Sequence, residues 1–264
     1  MKSRMLGVCA VIGFTSAAAV ASDEIRLGQT VSDEVVAGFG RVCPALGLGG
    51  AIEASSYWRA FDLSDFDVTQ DFAVTRVEFG IETLRLPTLL EVDFKVNVYG
   101  AVEGTTPQTG LPIIGTAAMS LTDRSVEVVS VDVSALAAAG SAIIVEVSAP
   151  SLRDLAGGDV GNIFIPGANG DGESEPVYFA SDACGVPEPV AWDPADGVFN
   201  YVLTVYGDPF CATDLDGDGL LTVFDFLEFS NLFDAGDLRA DFDGDGVLTL
   251  FDFLEFQNRF MLGC

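Results

Sequence analysis

The chain has 264 residues, with 40 Asp or Glu against 12 Lys or Arg, a formal net charge of −28 and no histidine. Without histidine it cannot build a Ser-His-Asp triad, a Cys-His dyad or a His-ligated zinc site, and its charge repels nucleic-acid backbones and anionic lipid surfaces. With 49% of its residues hydrophobic, it can still bury a substantial core, over a length that suits one large domain or two of roughly 100–200 residues.

The first predicted element is an export signal. Lys2 and Arg4 precede an apolar run over residues 5–20, and Ala19-Val20-Ala21 supplies a small-x-small cleavage pattern. This predicts a signal peptide over residues 1–21, cut after Ala21. The run is shorter than the roughly 20 residues of a spanning helix, so the expected product is secreted, extracellular or at the cell surface, with no membrane insertion once the signal is removed. Four cysteines then remain: Cys43, Cys184, Cys211 and Cys264. An even count in an exported chain predicts disulfides. Of the three pairings, Cys43–Cys184 with Cys211–Cys264 is preferred, because each bond closes one candidate domain. Either alternative would lock the two domains together.

Residues 22–208 form the first candidate domain. The glycine-rich stretch 22–50 has no clear element. Beyond it, alternation and β-branched or aromatic content predict strands over residues 57–61, 73–81, 92–98, 113–121, 125–133, 143–147, 162–165, 177–180 and 200–206. Turn-forming clusters separate them at residues 104–107, 138–141, 167–172 and 185–197, and residues 135–139 suit one helical turn. Many short strands with no helix-strand alternation predict a mainly β fold, an antiparallel β-sandwich or jelly roll.

Two functions fit such a domain. One is a non-catalytic binding module, with polysaccharide among its possible ligands. Tyr57, Trp58, Tyr178, Phe179 and Trp192 are the candidate sugar-stacking aromatics, with core burial as the alternative for each. The other is a glycoside hydrolase, or another polysaccharide-degrading component, which needs two carboxyls about 5–10 Å apart across a cleft. Glu78, Glu82, Glu91, Glu127 and Glu146 are available on or near strands, but none sits in a catalytic motif. Asn169-Gly170-Asp171-Gly172 reads as a hairpin turn in preference to a metal loop.

The pattern changes after Asp208-Pro209. Residues 214–233 align with residues 241–260, with 15 identities over 20 positions, an internal duplication. Each copy opens with Asp-x-Asp-Gly-Asp-Gly and closes with a further Asp at position 12. In the first, Asp214, Asp216 and Asp218 occupy positions 1, 3 and 5. Leu220 at position 7 offers its main-chain carbonyl, Thr222 sits at position 9, and Asp225 closes the loop. In the second, the corresponding residues are Asp241, Asp243, Asp245, Val247, Thr249 and Asp252. This is the oxygen cage of an EF-hand calcium loop, with Asp at position 12 in place of Glu. Two Ca²⁺ ions are therefore expected, and binding should contribute folding energy, because the clustered carboxylates repel one another without a cation. Mg²⁺ suits the site less well, since it gives up its waters reluctantly. After each loop comes an apolar helical stripe, Phe226, Phe229 and Phe233 in the first copy and Phe253, Phe256 and Phe260 in the second, and the two stripes should pack together.

A duplicated loop-helix unit with Asp at position 12 resembles a dockerin domain. More narrowly, Cys211, the repeated Asp225-Phe226-Leu227 and Asp252-Phe253-Leu254, and the closing Gly263-Cys264 resemble a dockerin variant found at the C-terminus of secreted bacterial proteins. The resemblance covers residues 209–264 and implies a small all-α paired loop-helix domain that binds calcium and tethers its protein to a cohesin-like partner or the cell surface. The chain departs from cellulosomal dockerins at Val223-Phe224 and Leu250-Phe251, and at Ser230-Asn231 and Gln257-Asn258, where partner choice is usually made. The preceding domain, through Tyr57-Trp58-Arg59-Ala60-Phe61-Asp62-Leu63, Val77-Glu78-Phe79-Gly80-Ile81-Glu82, Phe164-Ile165-Pro166-Gly167-Ala168-Asn169 and Leu203-Thr204-Val205-Tyr206-Gly207, is similar to the sandwich that often accompanies this variant, which implies a fold and no particular activity. The combined expectation is a secreted, non-catalytic protein whose calcium-binding unit anchors a β-sandwich binding module.

Overall fold

The computed structural model describes residues 24–42, 53–152 and 161–263. The expected signal peptide, Cys43 and Cys264 lie outside them. In chain order the strands are β1 (Ile25–Gly28), β2 (Ser55–Asp62), β3 (Asp71–Arg85), β4 (Val92–Val102), β5 (Ile113–Leu121), β6 (Arg124–Ala137), β7 (Ser141–Ala149), β8 (Ile163–Pro166), β9 (Ala168–Asn169), β10 (Tyr178–Ser181), β11 (Val186–Ala191), β12 (Asn200–Tyr201) and β13 (Leu203–Phe210). Two helices follow, α1 (Val223–Ala235) and α2 (Leu250–Leu262). The chain is thus mainly β, with antiparallel sheets and two C-terminal helices.

One sheet runs in the order β1-β13-β3-β6, with β8 also paired to β3. A six-stranded sheet runs β11-β10-β2-β7-β4-β5, and β12 pairs with β9. Period-two alternation decides which side chains go inward. Along β4, Val92, Phe94 and Val96 are buried while Asp93 and Lys95 are exposed. Val77, Phe79, Val131, Leu203 and Val205 of the first sheet share one hydrophobic core with Tyr57, Phe61, Phe94, Val145 and Val147 of the second. Where two backbones approach closely, glycine is required: a Cβ on Gly80 would stand 2.6 Å from the Gly167 carbonyl.

Three expectations need correction. Residues 135–137 continue β6 and do not form a helical turn. Ala135 and Ala137 are buried opposite Val74 and Phe72 of β3, so strand pairing overrides alanine's helix propensity. Part of the turn cluster at 185–197 is the strand β11, which carries Pro187 and Pro189. It lies at the sheet edge, where a missing N–H costs no ladder bond. Within the glycine-rich stretch, β1 pairs with β13.

Among the described residues, one cation is buried in the core. Arg59 is fully buried, donating to the Tyr201 carbonyl at 2.8 and 3.1 Å, the Glu175 carbonyl at 2.8 Å and the Glu173 carboxylate at 2.6 Å. Burial pulls its pKa down, although Glu173 opposes the shift. Cys184 and Cys211 are disulfide-bonded.

Candidate metal centre

Each candidate metal loop begins with an Asp that folds the backbone around itself. Asp214 Oδ1 accepts from the N–H of Gly217 at 2.9 Å and of Asp218 at 3.1 Å, and Oδ2 accepts from Gly219 at 2.8 Å. Asp241 repeats this with Gly244 at 2.9 Å and Gly246 at 2.8 Å. Gly219 and Gly246 sit at φ +80° and +81°. Nothing lies within 4 Å of a Cβ placed on either, so glycine is needed there for its left-handed backbone and not for space.

The closing residue ties loop to helix. Asp225 Oδ1 accepts from the N–H of Leu215 at 2.9 Å, and Oδ2 from Thr222 at 2.8 Å. Thr222 caps α1, its hydroxyl accepting from Phe224 N–H at 3.1 Å. Asp225 and Thr222 together make a capping box. Asp252 and Thr249 do the same for α2. Both Asp225 and Asp252 are shielded from solvent. Burial pushes each pKa up, but the converging N–H donors outweigh it and hold both below the ordinary aspartate value.

The result is two acid clusters. Carboxylate oxygens of Asp214, Asp216 and Asp225 lie within 4.8 Å of one another, as do those of Asp241, Asp243 and Asp252. Desolvation and the surrounding carboxylates raise the pKa of Asp216 and of Asp243, with backbone hydrogen bonds opposing. Asp218 and Asp245 lie outside these clusters, each accepting from a loop N–H, that of Leu220 or Val247, at 2.8 Å. The Leu220 and Val247 side chains are exposed and take no part in a core, in keeping with main-chain roles. The donor set is all oxygen, hard and uncompensated by any described cation, and so fits a hard divalent ion.

The helices pack as related copies. Phe229 of α1 and Phe256 of α2, equivalent in the duplication, stack at 4.5 Å and 17°, and the equivalent pair Phe226 and Phe253 meet edge-on at 5.9 Å. Sequence reasoning missed Arg259. Its guanidinium donates to the Phe242 carbonyl, inside the second loop, at 3.2 Å and pairs with Glu255 at 2.8 Å. The first copy has Leu232 there, and that mismatch in the repeat was the available signal.

The β region offers less. Tyr57, Trp58 and Phe179 are buried. Trp192 packs on Phe199 at 5.2 Å and donates to the Gly197 carbonyl at 2.9 Å. These four do not form an open stacking platform, and Tyr178 is only half-buried. Among the candidate carboxylates, Glu78 meets Arg76, Glu82 accepts from Gly40 N–H, Glu127 lies near Arg124, Glu146 is held by Asn97 and Tyr99, and Glu91 is exposed. Glu78 and Glu82, both on β3, are about 13 Å apart along an extended strand, beyond the hydrolase spacing. Asn169 and Asp171 form a turn closed by a 3.2 Å hydrogen bond from Asp171 N–H to Asn169 Oδ1. Among the described residues, no helix is long and apolar enough to cross a membrane. Comparison with known protein families, curated proteins and solved structures returned no match.

Proposed function

We propose that this chain is a secreted, non-catalytic protein whose dockerin-like C-terminal unit, residues 209–264, binds two calcium ions and anchors a β-sandwich binding module, residues 22–208. The observation that carries this reading is the pair of acid clusters built from equivalent residues of the two copies, each with three converging carboxylates and, among the described residues, no side-chain cation paired to them. Asp214, Asp216 and Asp225 would hold one ion, and Asp241, Asp243 and Asp252 the other. Asp218, Asp245, the main-chain carbonyls of Leu220 and Val247, and Thr222 and Thr249 complete the expected sets. The ion's contribution is charge neutralisation, which removes the repulsion within each loop and lets α1 and α2 dock.

The module reading is supported by two antiparallel sheets that contribute to one core. The anchor reading is supported by matched exposed apolar residues on the two copies: Val223 with Leu250, Phe224 with Phe251, and Leu227 with Leu254. Such surfaces suit a protein partner, cohesin-like on the resemblance. Disulfide bonding of Cys184 and Cys211 suits an oxidising exterior.

The test is calorimetric titration of the intact chain with Ca²⁺, followed by chelation. Two ions per chain are expected. Chelation should erase the helical circular dichroism of α1 and α2 while the strand signal persists. At free calcium 100-fold above Kd, each site should add about 2.7 kcal/mol of stability. A folded chain that takes up no calcium would sink the proposal.

A further inference from the structure

We infer that the outward face of the six-stranded sheet, centred on Glu146, is a binding site for a neutral, hydroxyl-rich ligand of the carbohydrate class. This deepens the binding-module reading and does not depend on calcium.

Strand register lines up one side chain from each of five neighbouring strands. Tyr178 stands opposite Trp58, Trp58 opposite Glu146, Glu146 opposite Asn97, and Asn97 opposite Thr116. The row alternates with the core residues Tyr57, Val145, Val147, Val96 and Val98, and so belongs to the other face. Its polar members form a directed chain. Thr116 Oγ1 donates to Asn97 Oδ1 at 2.9 Å, and Asn97 Nδ2 donates to Glu146 Oε2 at 2.7 Å. Tyr99 Oη donates to the same oxygen at 2.7 Å. Burial and the adjacent carboxylate push the Tyr99 pKa far up, so the phenol keeps its proton and remains a donor. Both donors converge on Oε2, while Oε1 accepts no hydrogen bond from the described residues. A carboxylate fixed through one oxygen presents the other as a pre-oriented acceptor.

The face is also partly roofed. From the β4–β5 loop, residues 103–112, Gly104 N–H reaches the Asp62 carboxylate of β2 at 3.0 Å, and Thr109 Oγ1 reaches Glu188 of β11 at 2.6 Å. Leu111 packs against Trp58, Tyr99 and Ile144. Trp58 and Tyr99 stack at 5.3 Å and are only 3% and 7% exposed. They form a rigid wall beside the polar row, not an open platform.

The ligand's character follows from the charges. An anion would face Glu146 and the net charge of −28. A cation would find a single carboxylate, already bonded by Asn97 and Tyr99, and Lys95 exposed on the same face of β4 two residues before Asn97 and opposite Ser148. Sugar hydroxyls both donate and accept. They can therefore use the Glu146 and Thr116 oxygens as acceptors and Lys95 and Ser148 as donors, which stand on three neighbouring strands about 4.8 Å apart.

The experiment is native electrophoresis of the intact, calcium-loaded chain through gels containing xylan, β-glucan, mannan or galactan, with calcium binding measured on the same samples. At least one polysaccharide should retard the chain. Glu146→Gln should weaken that retardation about tenfold or more with an unchanged melting temperature. Glu127→Gln, the same charge change on the other sheet, should leave it intact. No retardation in any gel overturns the inference. So does retardation that Glu146→Gln spares, or that both variants weaken alike. If two calcium ions bind without retardation, this site falls and the anchor reading stands. Retardation without calcium uptake gives the reverse.

Discussion

The β region and the C-terminal repeat use apolar residues for different ends. In the β region, inward-facing residues of two sheets merge into one continuous core, and even a guanidinium is enclosed with its partners supplied. In the repeat, only Phe229, Leu232, Ala240, Phe242 and Phe256 form the buried cluster, too few to hold a unit of this size by hydrophobic burial alone. Several comparably apolar residues around them stay in solvent. A sheet can recruit distant strands until every inward position is covered. A duplicated loop-helix packs mainly against its own copy, so more of its stability rests on the disulfide of Cys211 and, on the proposed reading, on neutralising the loop carboxylates.

The sharpest way to break this comparison is Phe256→Ala. Truncating a fully enclosed phenylalanine costs about 3–5 kcal/mol, most of what so small a cluster can supply. The helical transition in urea should disappear while the strand transition stays in place. If both move together, the two regions are a single cooperative unit. Arg59→Ala is the mirror experiment. Removing one partner of a buried ion pair costs about 3–5 kcal/mol, and the 21% exposure of the Glu173 side chain places this case near the lower end. The strand melt should shift and the calcium titration should not.

Smaller effects sharpen the contrast. Thr222→Ala and Thr249→Ala should each remove about 1 kcal/mol as lost helix caps, read from urea midpoints of the helical signal. The loss should be smaller for Thr249, because Arg259 braces the second loop through the Phe242 carbonyl and nothing equivalent braces the first. The smallest effect belongs to Asp33. Desolvation raises its pKa, but hydrogen bonds from Arg26 and Thr204 outweigh this and leave it below the ordinary 3.8. The folded value is thus depressed. The stabilisation is complete above the ordinary range and is lost as pH falls through the depressed value. Asp33→Asn should remove this small stabilisation at neutral pH and so flatten the acid limb of the strand melt, the variant and the parent converging as the pH falls.

The acid clusters were legible because every residue of each loop falls within twelve consecutive positions, and the duplication supplied an internal check. Strand positions were legible for the same local reason, as in the 113–121 segment. Pairing was not. Glu146 and Asn97 are 49 residues apart, and nothing in either strand states the register that sets them opposite each other. Trp58 was a candidate stacking residue, but nothing in the sequence said that Leu111 of the 103–112 loop would pack over it. The helical stripe shows the same limit: Phe226 meets its counterpart Phe253 as expected and is still 40% exposed, whereas Phe242, outside the stripe, is buried. Arg59 carried a readable sign, a lone cation in the run Tyr57-Trp58-Arg59-Ala60-Phe61, but its partners come from Gln29 and from residues 173–201.

The junction between the regions has a mechanical consequence. Strand β13 lies between β1 and β3, its last residue Phe210 still pairs with Asp71, and Asp214, which opens the first acidic loop, follows four residues later. No flexible linker absorbs extension. A pull transmitted through the C-terminal unit loads β13 along its own axis, so its hydrogen bonds to both neighbours are sheared together and not unzipped one at a time. A molecule fastened by its tail and loaded through its sheet would resist force as a clamp.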